Sequence, residues 1–353
     1  MAVNEPPLFC EVNMTTQMHP VQLQYSHTIG RAEFSGPGFR APVGIARGED
    51  DRLYVLSRSY EARPDGKRVT ICTVGEDYIT EFGRGVRAAQ AHDDAADGTF
   101  MWPTAIALDS AGNAYVSDEW YNRISIFTKD GDWIGKWGTP GAGDGELNRP
   151  SGLAFDQDDH LYVVDSQNHR IQKFGKDGIF LAKWGTVGSG EGEFDMPWGI
   201  AIDTAGDVYV TDWRNDRVQK FTARGQFLMS FGTSGSGEGE FDRPTGIAVD
   251  RDGVIYVADW RNERLQVFNA DGSFIMQLAG EATVSKWGKE KLNANAEMWQ
   301  QRARAQGLER EKLFWGPIAV TVDADNRVFV AETARSRIQV YGKQVPIFIG
   351  DRL

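Results

Sequence analysis

Cysteine is nearly absent from this chain: Cys10 and Cys72 are the only two in 353 residues, which excludes a disulfide framework and leaves at most one bridge. Histidine is scarce as well, and five imidazoles offer few ways to build a zinc site. No apolar run approaches the ~18 residues of a membrane span, and no basic stretch leads into an apolar one between Met1 and Cys10. Positive charge is in deficit, with 38 Lys+Arg against 50 Asp+Glu and a formal charge of −12. A nucleic-acid binder needs a clustered basic surface to neutralise phosphates. These deficits predict a cytoplasmic globular protein with neither nucleic acid nor membrane as a partner. What the chain has in quantity is apolar content, 41%, and 40 glycines among 25% charged and 11% aromatic residues. That composition supports a large core in which glycine marks turns.

Self-similarity is plain. The segments PSGLAFDQDDHLYVVDSQNHRIQKF from Pro150, PWGIAIDTAGDVYVTDWRNDRVQKF from Pro197 and PTGIAVDRDGVIYVADWRNERLQVF from Pro244 align without a gap, 47 residues apart. The frame recurs from Pro42, Pro103 and Pro317, giving six copies with extra length at 84–101 and 281–315. Each copy holds short runs of Ile, Val, Tyr and Phe between turn signals such as Asp252-Gly253 and Asp271-Gly272, the mark of hairpins. For the copy at Pro244 the pattern places strand A at Gly246 to Asp250, B at Ile255 to Asp259, C at Arg264 to Phe268 and D at Phe274 to Leu278. Such four-stranded units bury their faces only against neighbours, and radial closure protects their edges. The expectation is an all-β chain, residues 1–353 forming a single six-bladed β-propeller.

The repeats resemble those of NHL-repeat proteins, whose blades read like Ala258-Asp259-Trp260-Arg261-Asn262-Glu263-Arg264-Leu265-Gln266-Val267-Phe268. The resemblance runs from Ser26 to Tyr341 and implies the NHL type of propeller fold. Closure follows from spacing: a glycine ends strand D twelve residues before the next proline, as Gly185 does for Pro197, and Gly30 precedes Pro42 by the same interval. Gln22 to Ile29 is thus read as an N-terminal D strand completing blade six, with a local strand from Val345 to Ile349 as the rival.

Several motifs invite a functional reading and have a structural one. The loops Gly188 to Gly192 and Gly235 to Gly239 run into another strand, whereas a phosphate loop opens a helix, so they are read as D-to-A connectors. The repeated Asp165/Asn168/Arg170, Asp212/Asn215/Arg217 and Asp259/Asn262/Arg264 sets are read as hairpin clamps, with Asn at the left-handed turn position. Phe82, Trp137, Trp184 and Phe231 precede the strand-D glycines and are expected to pack between blades.

In an A-to-D blade the B-to-C hairpins and D-to-A connectors emerge on one face. That face carries every large departure from the repeat, including Ser57 to Lys67, and loops on a rigid scaffold are where binding residues gather. It is therefore the expected ligand face, for a small anionic or aromatic molecule or a peptide. Its binding residues are read as Arg58, Trp120, Tyr121, Trp198, Trp213, Arg214, Trp260, Arg261 and Arg335, with Arg84 and Arg87 among the further cations. Leu292, Ala296, Trp299 and Ala303 follow helical spacing before Gly307, which predicts one amphipathic helix in the 281–315 insertion. That helix could plug the channel mouth, cover a ligand, or contact a partner such as a second copy of the chain.

The alternative is a lyase or hydrolase at the same mouth. Within the resemblance, peptide-amidating lyases hold zinc through histidines one residue after the repeat proline, where this chain has Val43, Thr104, Ser151, Trp198, Thr245 and Ile318. Streptogramin lyases have seven blades and a His/Glu site with no match here, and lactonase-type propellers hold calcium through carboxylate and amide oxygens, whereas these strand starts are apolar or hydroxylic. The one compact donor cluster on the face is His92-Asp93-Asp94, read as the catalytic candidate. His19 and His27 belong to the N-terminal arm, His160 to a turn on the other face, and His169 to the surface. The residues define no metal ligand set and name no cofactor.

Overall fold

The computed structural model describes residues 21–60, 63–86 and 96–344. Six four-stranded antiparallel sheets follow one another around an axis, each built from one repeat. Blade five shows the pattern: strand A is Pro244–Val249, B is Ile255–Asp259, C is Arg264–Phe268 and D is Phe274–Leu278. B, C and D fall where the turn signals put them, while A starts two residues earlier, at the proline itself. A proline is tolerated there because it opens the strand, and Pro244 stands opposite Asp259 before a register irregularity that ends at Ile247. The D-to-A connectors add short parallel ladders that the strand pattern did not predict, such as Thr186–Val187 beside Glu193–Phe194.

The ring closes through the N-terminus. Gln22–Ile29 pairs antiparallel with the last strand, Arg337–Gln344, from Gln22 opposite Gln344 to Ile29 opposite Ile338. The rival segment Val345 to Ile349 lies outside the described residues, and the edge it would need is taken. A second link crosses the same seam: Ala41 N–H donates to Ser336 Oγ at 3.2 Å. Asn122, His169 and Asp216 accept the corresponding amides of Arg149, Met196 and Arg243 in the regular blades, at 2.7, 3.1 and 2.8 Å. His169 is thus an inter-blade acceptor, not a surface histidine. The left-handed hairpin position is the residue after the motif Asn, with φ of 51° at His169, 50° at Asp216 and 53° at Glu263.

The core lies between blades. The strand-D aromatics Phe82, Trp137, Trp184 and Phe231 each sit under a turn glycine of the next blade. A Cβ on Gly178 would come within 2.6 Å of Trp137, and one on Gly225 within 2.6 Å of Trp184. Tight approach and positive φ together require glycine at these two turns. Cys72 is fully buried in the blade six–one core, and burial pushes its thiol up to about 12. A thiolate is the reactive form, so at pH 8 iodoacetamide is expected to leave Cys72 unmodified in the native protein and to label it in urea. Peptide mass mapping reads this directly, and rapid native labelling would contradict the packing. Among the described residues, no helix is long and apolar enough to cross a membrane.

The insertion departs from the expected single helix. It forms α1 (Lys286–Asn293) and α2 (Ala296–Arg304), because the Asn295 side chain accepts the Glu297 amide and caps a new helix within the predicted stripe. Of that stripe, Leu292 is only half-buried, and Ala296, Trp299 and Ala303 are exposed. The buried residue is Trp287, 2% exposed, packed edge-on against Phe39 with ring centroids 5.8 Å apart. Trp287 belongs to the core cluster shared by blades six and one. The helix therefore wedges the closure seam and does not plug the channel.

Candidate functional site

The loops of the insertion-bearing face are held by the repeated Asp-Asn-Arg clamp. In blade three, Asp165 accepts the Asn148 amide at 2.6 Å, Asn168 Nδ2 at 2.8 Å, Arg170 Nε at 2.8 Å and Gln172 Nε2 at 3.0 Å. Arg170 in turn donates to the connector carbonyls of Ala142, Gly143 and Glu146. Burial raises the carboxyl pKa of Asp165, Asp212 and Asp259, against the pull of these amide, Asn and Arg donors. Every acceptor site points at the loop it anchors, so these acids are scaffold. Blade six keeps the arrangement with Glu332, Arg337 and Gln339. In blade two, Asp118 instead accepts the backbone amides of Met101, Trp102, Trp120 and Tyr121.

Behind the loops the channel is narrow and apolar. Its throat is lined by Gly44, Ala105, Gly152, Gly199, Gly246 and Ala319, then by Ile45, Ile106, Leu153, Ile200, Ile247 and Val320, around a cavity of about 80 Å³. The small residues allow close approach: a Cβ on Gly199 would sit 2.2 Å from the Thr245 carbonyl oxygen. Hydroxyls at the strand starts are already engaged, with Thr104 Oγ1 donating to Pro150 O at 2.9 Å and Ser151 Oγ to Trp198 O at 2.8 Å. The throat residues are stitching and packing.

The rim is rich in tryptophan and arginine. The residue after each strand B reaches the start of the next blade, as Ser166 Oγ does to Pro197 O at 2.7 Å and Thr333 Oγ1 to Pro42 O at 2.9 Å. Arg58, Glu119, Trp213 and Trp260 hold the equivalent positions. Trp213 lies under Arg243, whose guanidinium carbon is 4.3 Å from the ring centroid, with Arg214 at 6.0 Å. Trp260 Nε1 would be 3.6 Å from a Cβ on Gly316. Trp102 and Trp120 meet edge to face at 4.9 Å, Arg58 stacks on Trp102 at 5.5 Å, and Arg58 pairs with Glu119. Trp198 lines the channel cavity and Trp315 lies under Arg335.

The expected binding residues thus divide. Trp198 is the one that lines the channel cavity, while Trp213, Trp260, Trp120 and Arg58 stand on the rim around it. Arg214 and Arg261 are exposed and lie 3.8 and 3.7 Å from Asp195 and Asp242, weak pairs that leave them solvated. Tyr121 is covered by Arg123, whose guanidinium carbon is 4.4 Å from its ring, and serves the hairpin. Arg335 turns away from the channel: it stacks on Trp315 and donates to Arg310 O at 2.7 Å, under the insertion. Arg243 was missed because the residue before the repeat proline follows no pattern, being Ala41, Trp102, Arg149, Met196, Arg243 and Gly316 in turn. Its Nη1 is buried and has no hydrogen-bond partner among the described residues, and only the fold shows that.

His92, Asp93 and Asp94 lie outside the described residues, as does Arg87. Asp156, Asp158 and His160 are grouped closely enough to suggest a cation site. They occupy an A-to-B turn on the opposite face, where Lys173 Nζ holds Asp156 Oδ2 at 2.8 Å and Asp156 Oδ1 caps the turn amides of Asp158 and His160. Asp156 is thus engaged by the turn and by Lys173, and Asp158 is an exposed turn residue.

A closed six-bladed propeller with a narrow apolar throat and an aromatic, arginine-bearing rim is the class these features define. Segments 147–174, 194–221, 241–268 and 314–341 match the NHL repeat family model. The chain is an NHL-repeat β-propeller, and its first two blades, outside those matches, are the ones whose hairpins depart most from the clamp. No curated protein sequence matches it. Among solved structures it is similar to a protein of unknown function from Bacteroides thetaiotaomicron, at 18% identity over 92% of this chain and 76% of that one, with TM-score 0.61. A gluconolactonase from Xanthomonas campestris matches at 14% identity over 92% and 90%, with TM-score 0.57. The virginiamycin B lyase of Staphylococcus aureus matches at 14% identity over 94% and 90%, with TM-score 0.54. Likeness at these identities is likeness of fold.

Proposed function

We propose that this propeller is a ligand-binding module whose rim takes a molecule, or a peptide end, that combines an aromatic or otherwise planar surface with a negative charge. The observation that carries this is Arg243: a guanidinium stacked on Trp213 with a buried, unpartnered Nη1. A buried donor without an acceptor is costly, and an incoming carboxylate or other oxyanion would satisfy it while its planar part packs on Trp213 and Trp260. The stack holds the guanidinium plane in place before binding, which reduces the ordering cost. A lyase or hydrolase at the same mouth is the competing reading, and the similar lyase and lactonase folds bring it to mind. Among the described rim residues after strand B, however, Glu119 is the one carboxylate, and Arg58 holds it in an ion pair.

Tryptophan fluorescence, titrated with a panel of aromatic acids and C-terminal aromatic peptides, tests the proposal. Saturable quenching is expected for at least one, and Trp213→Ala and Arg243→Gln should each weaken it by about tenfold. Affinity unchanged in both variants, or no response across the panel, would leave the rim without this role. Turnover of a bound ligand would move the protein to the enzyme reading.

A further inference from the structure

A second cavity, of about 530 Å³, lies between the insertion and blade six and shares no lining residue with the channel cavity. Five cations line it, Arg31, Arg302, Lys312, Arg335 and Arg337, against the carboxylates Glu309 and Glu311. Three of the five are matched: Arg31 lies 3.3 Å from Glu33, Arg302 2.6 Å from Glu311, and Arg337 2.6 Å from Glu332. The remaining two are not. Arg335 is oriented by its bond to Arg310 O and its stack on Trp315, both of which leave the charge without a counter-ion, and its Nε is buried with no partner among the described residues. Lys312 is exposed and, among the described residues, forms no ion pair. Glu309 on the same wall forms no ion pair either among the described residues, so the five cations face four carboxylates and the space keeps one net positive charge, with Arg335 and Lys312 unpaired, in a protein of charge −12.

We propose that this cavity binds a compact dianion, an oxyanion-bearing small molecule gripped by Arg335 and Lys312. A guanidinium fixed from behind offers its open edge to two oxygens at once, and an ammonium supplies the second charge without directional demand. The volume exceeds that of an inorganic oxyanion, so the natural ligand carries an organic part of modest size. Phosphate esters and dicarboxylates share the required chemistry. The walls come from three pieces of chain, namely the N-terminal arm through Arg31, the insertion through Lys312 and Arg302, and the last blade through Arg335. Occupancy therefore ties the insertion to the closure seam, and a ligand that binds only the assembled form stabilises it.

Calorimetry and thermal unfolding of the full chain with inorganic phosphate and with malonate, at constant ionic strength, test this. At least one anion is expected to bind with a Kd in the millimolar range or tighter and to raise the melting temperature. Arg335→Gln should reduce affinity about tenfold. Lys312→Gln, on an exposed side chain where folding is not at risk, should weaken it in the same direction. Trp213→Ala, on the rim, should leave this binding unchanged, which separates the fate of this site from that of the rim. The phosphate and malonate arms decide which oxyanion is preferred. Absence of binding for both at about 20 mM, or equal affinity in both substituted proteins, would overturn the proposal.

Discussion

Removing residues 1–30 is expected to destroy the cooperative fold, because it takes away the outer strand of blade six. The loss is larger than one edge. Strand Arg337–Gln344 would show its unpaired N–H and C=O groups to solvent, an open template for another chain. Ile29, fully buried in the blade six–one core, would leave a hole, and a lost buried isoleucine alone costs about 2–5 kcal/mol. The Gly30 carbonyl that accepts Ser285 Oγ at 2.7 Å would go as well, which frees α1 from the ring. The truncated protein should lose its sharp thermal transition or associate through the new edge, as read by calorimetry and sedimentation. A truncated protein with the parent's melting temperature and sedimentation would show that the ring closes another way.

That closure was legible from spacing because a propeller repeats one geometry, and a glycine twelve residues before a proline means the same thing at Gly30 as at Gly185. The clamp was legible for the same reason: Asp, Asn and Arg recurring at fixed offsets in consecutive blades must serve what the blades share. The insertion was not legible, because it occurs once. Its stripe of Leu292, Ala296, Trp299 and Ala303 fits a helix, yet Asn295 caps a new start inside it, and capping outweighs a weak apolar periodicity on a short solvated segment. The residue that matters, Trp287, precedes the stripe and has no counterpart in other blades.

The site divides along the same line. Trp213 and Trp260 were assigned to the rim because they lie inside polar B-to-C hairpins, at the position that Ser166 holds in blade three and Thr333 in blade six. Arg335 was assigned to the rim because hairpin numbering says nothing of side-chain direction, and Trp315 draws it under the insertion. Arg243 and the cavity beside Lys312 depend on which donors are left without partners. That property belongs to the packed structure, since a sequence lists donors and acceptors without showing which have met.

The seam where the chain closes is also where a single side chain should have the largest effect. Glu76, 3% exposed in a left-handed turn of blade one, accepts three backbone amides: Lys286 at 2.6 Å, Trp287 at 3.1 Å and Gly30 at 3.2 Å. Two of these are the first amides of α1, which have no partner within the helix, and the third belongs to the N-terminal arm. One carboxylate thus joins the first blade, the closing strand and the insertion. Glu76→Gln keeps the volume but turns an NH₂ group toward amide donors, at a cost of about 1–3 kcal/mol for each donor left unsatisfied. Trp287→Ala empties the same corner beside Phe39 and should cost about 3–5 kcal/mol. Because both act through the seating of α1, the double substitution should cost less than the sum, by about 0.5–3 kcal/mol. Urea unfolding of the four proteins measures all of this. Single effects below about 1 kcal/mol, or strict additivity, would mean that α1 rests on the seam without holding it, and that closure depends on strand pairing alone.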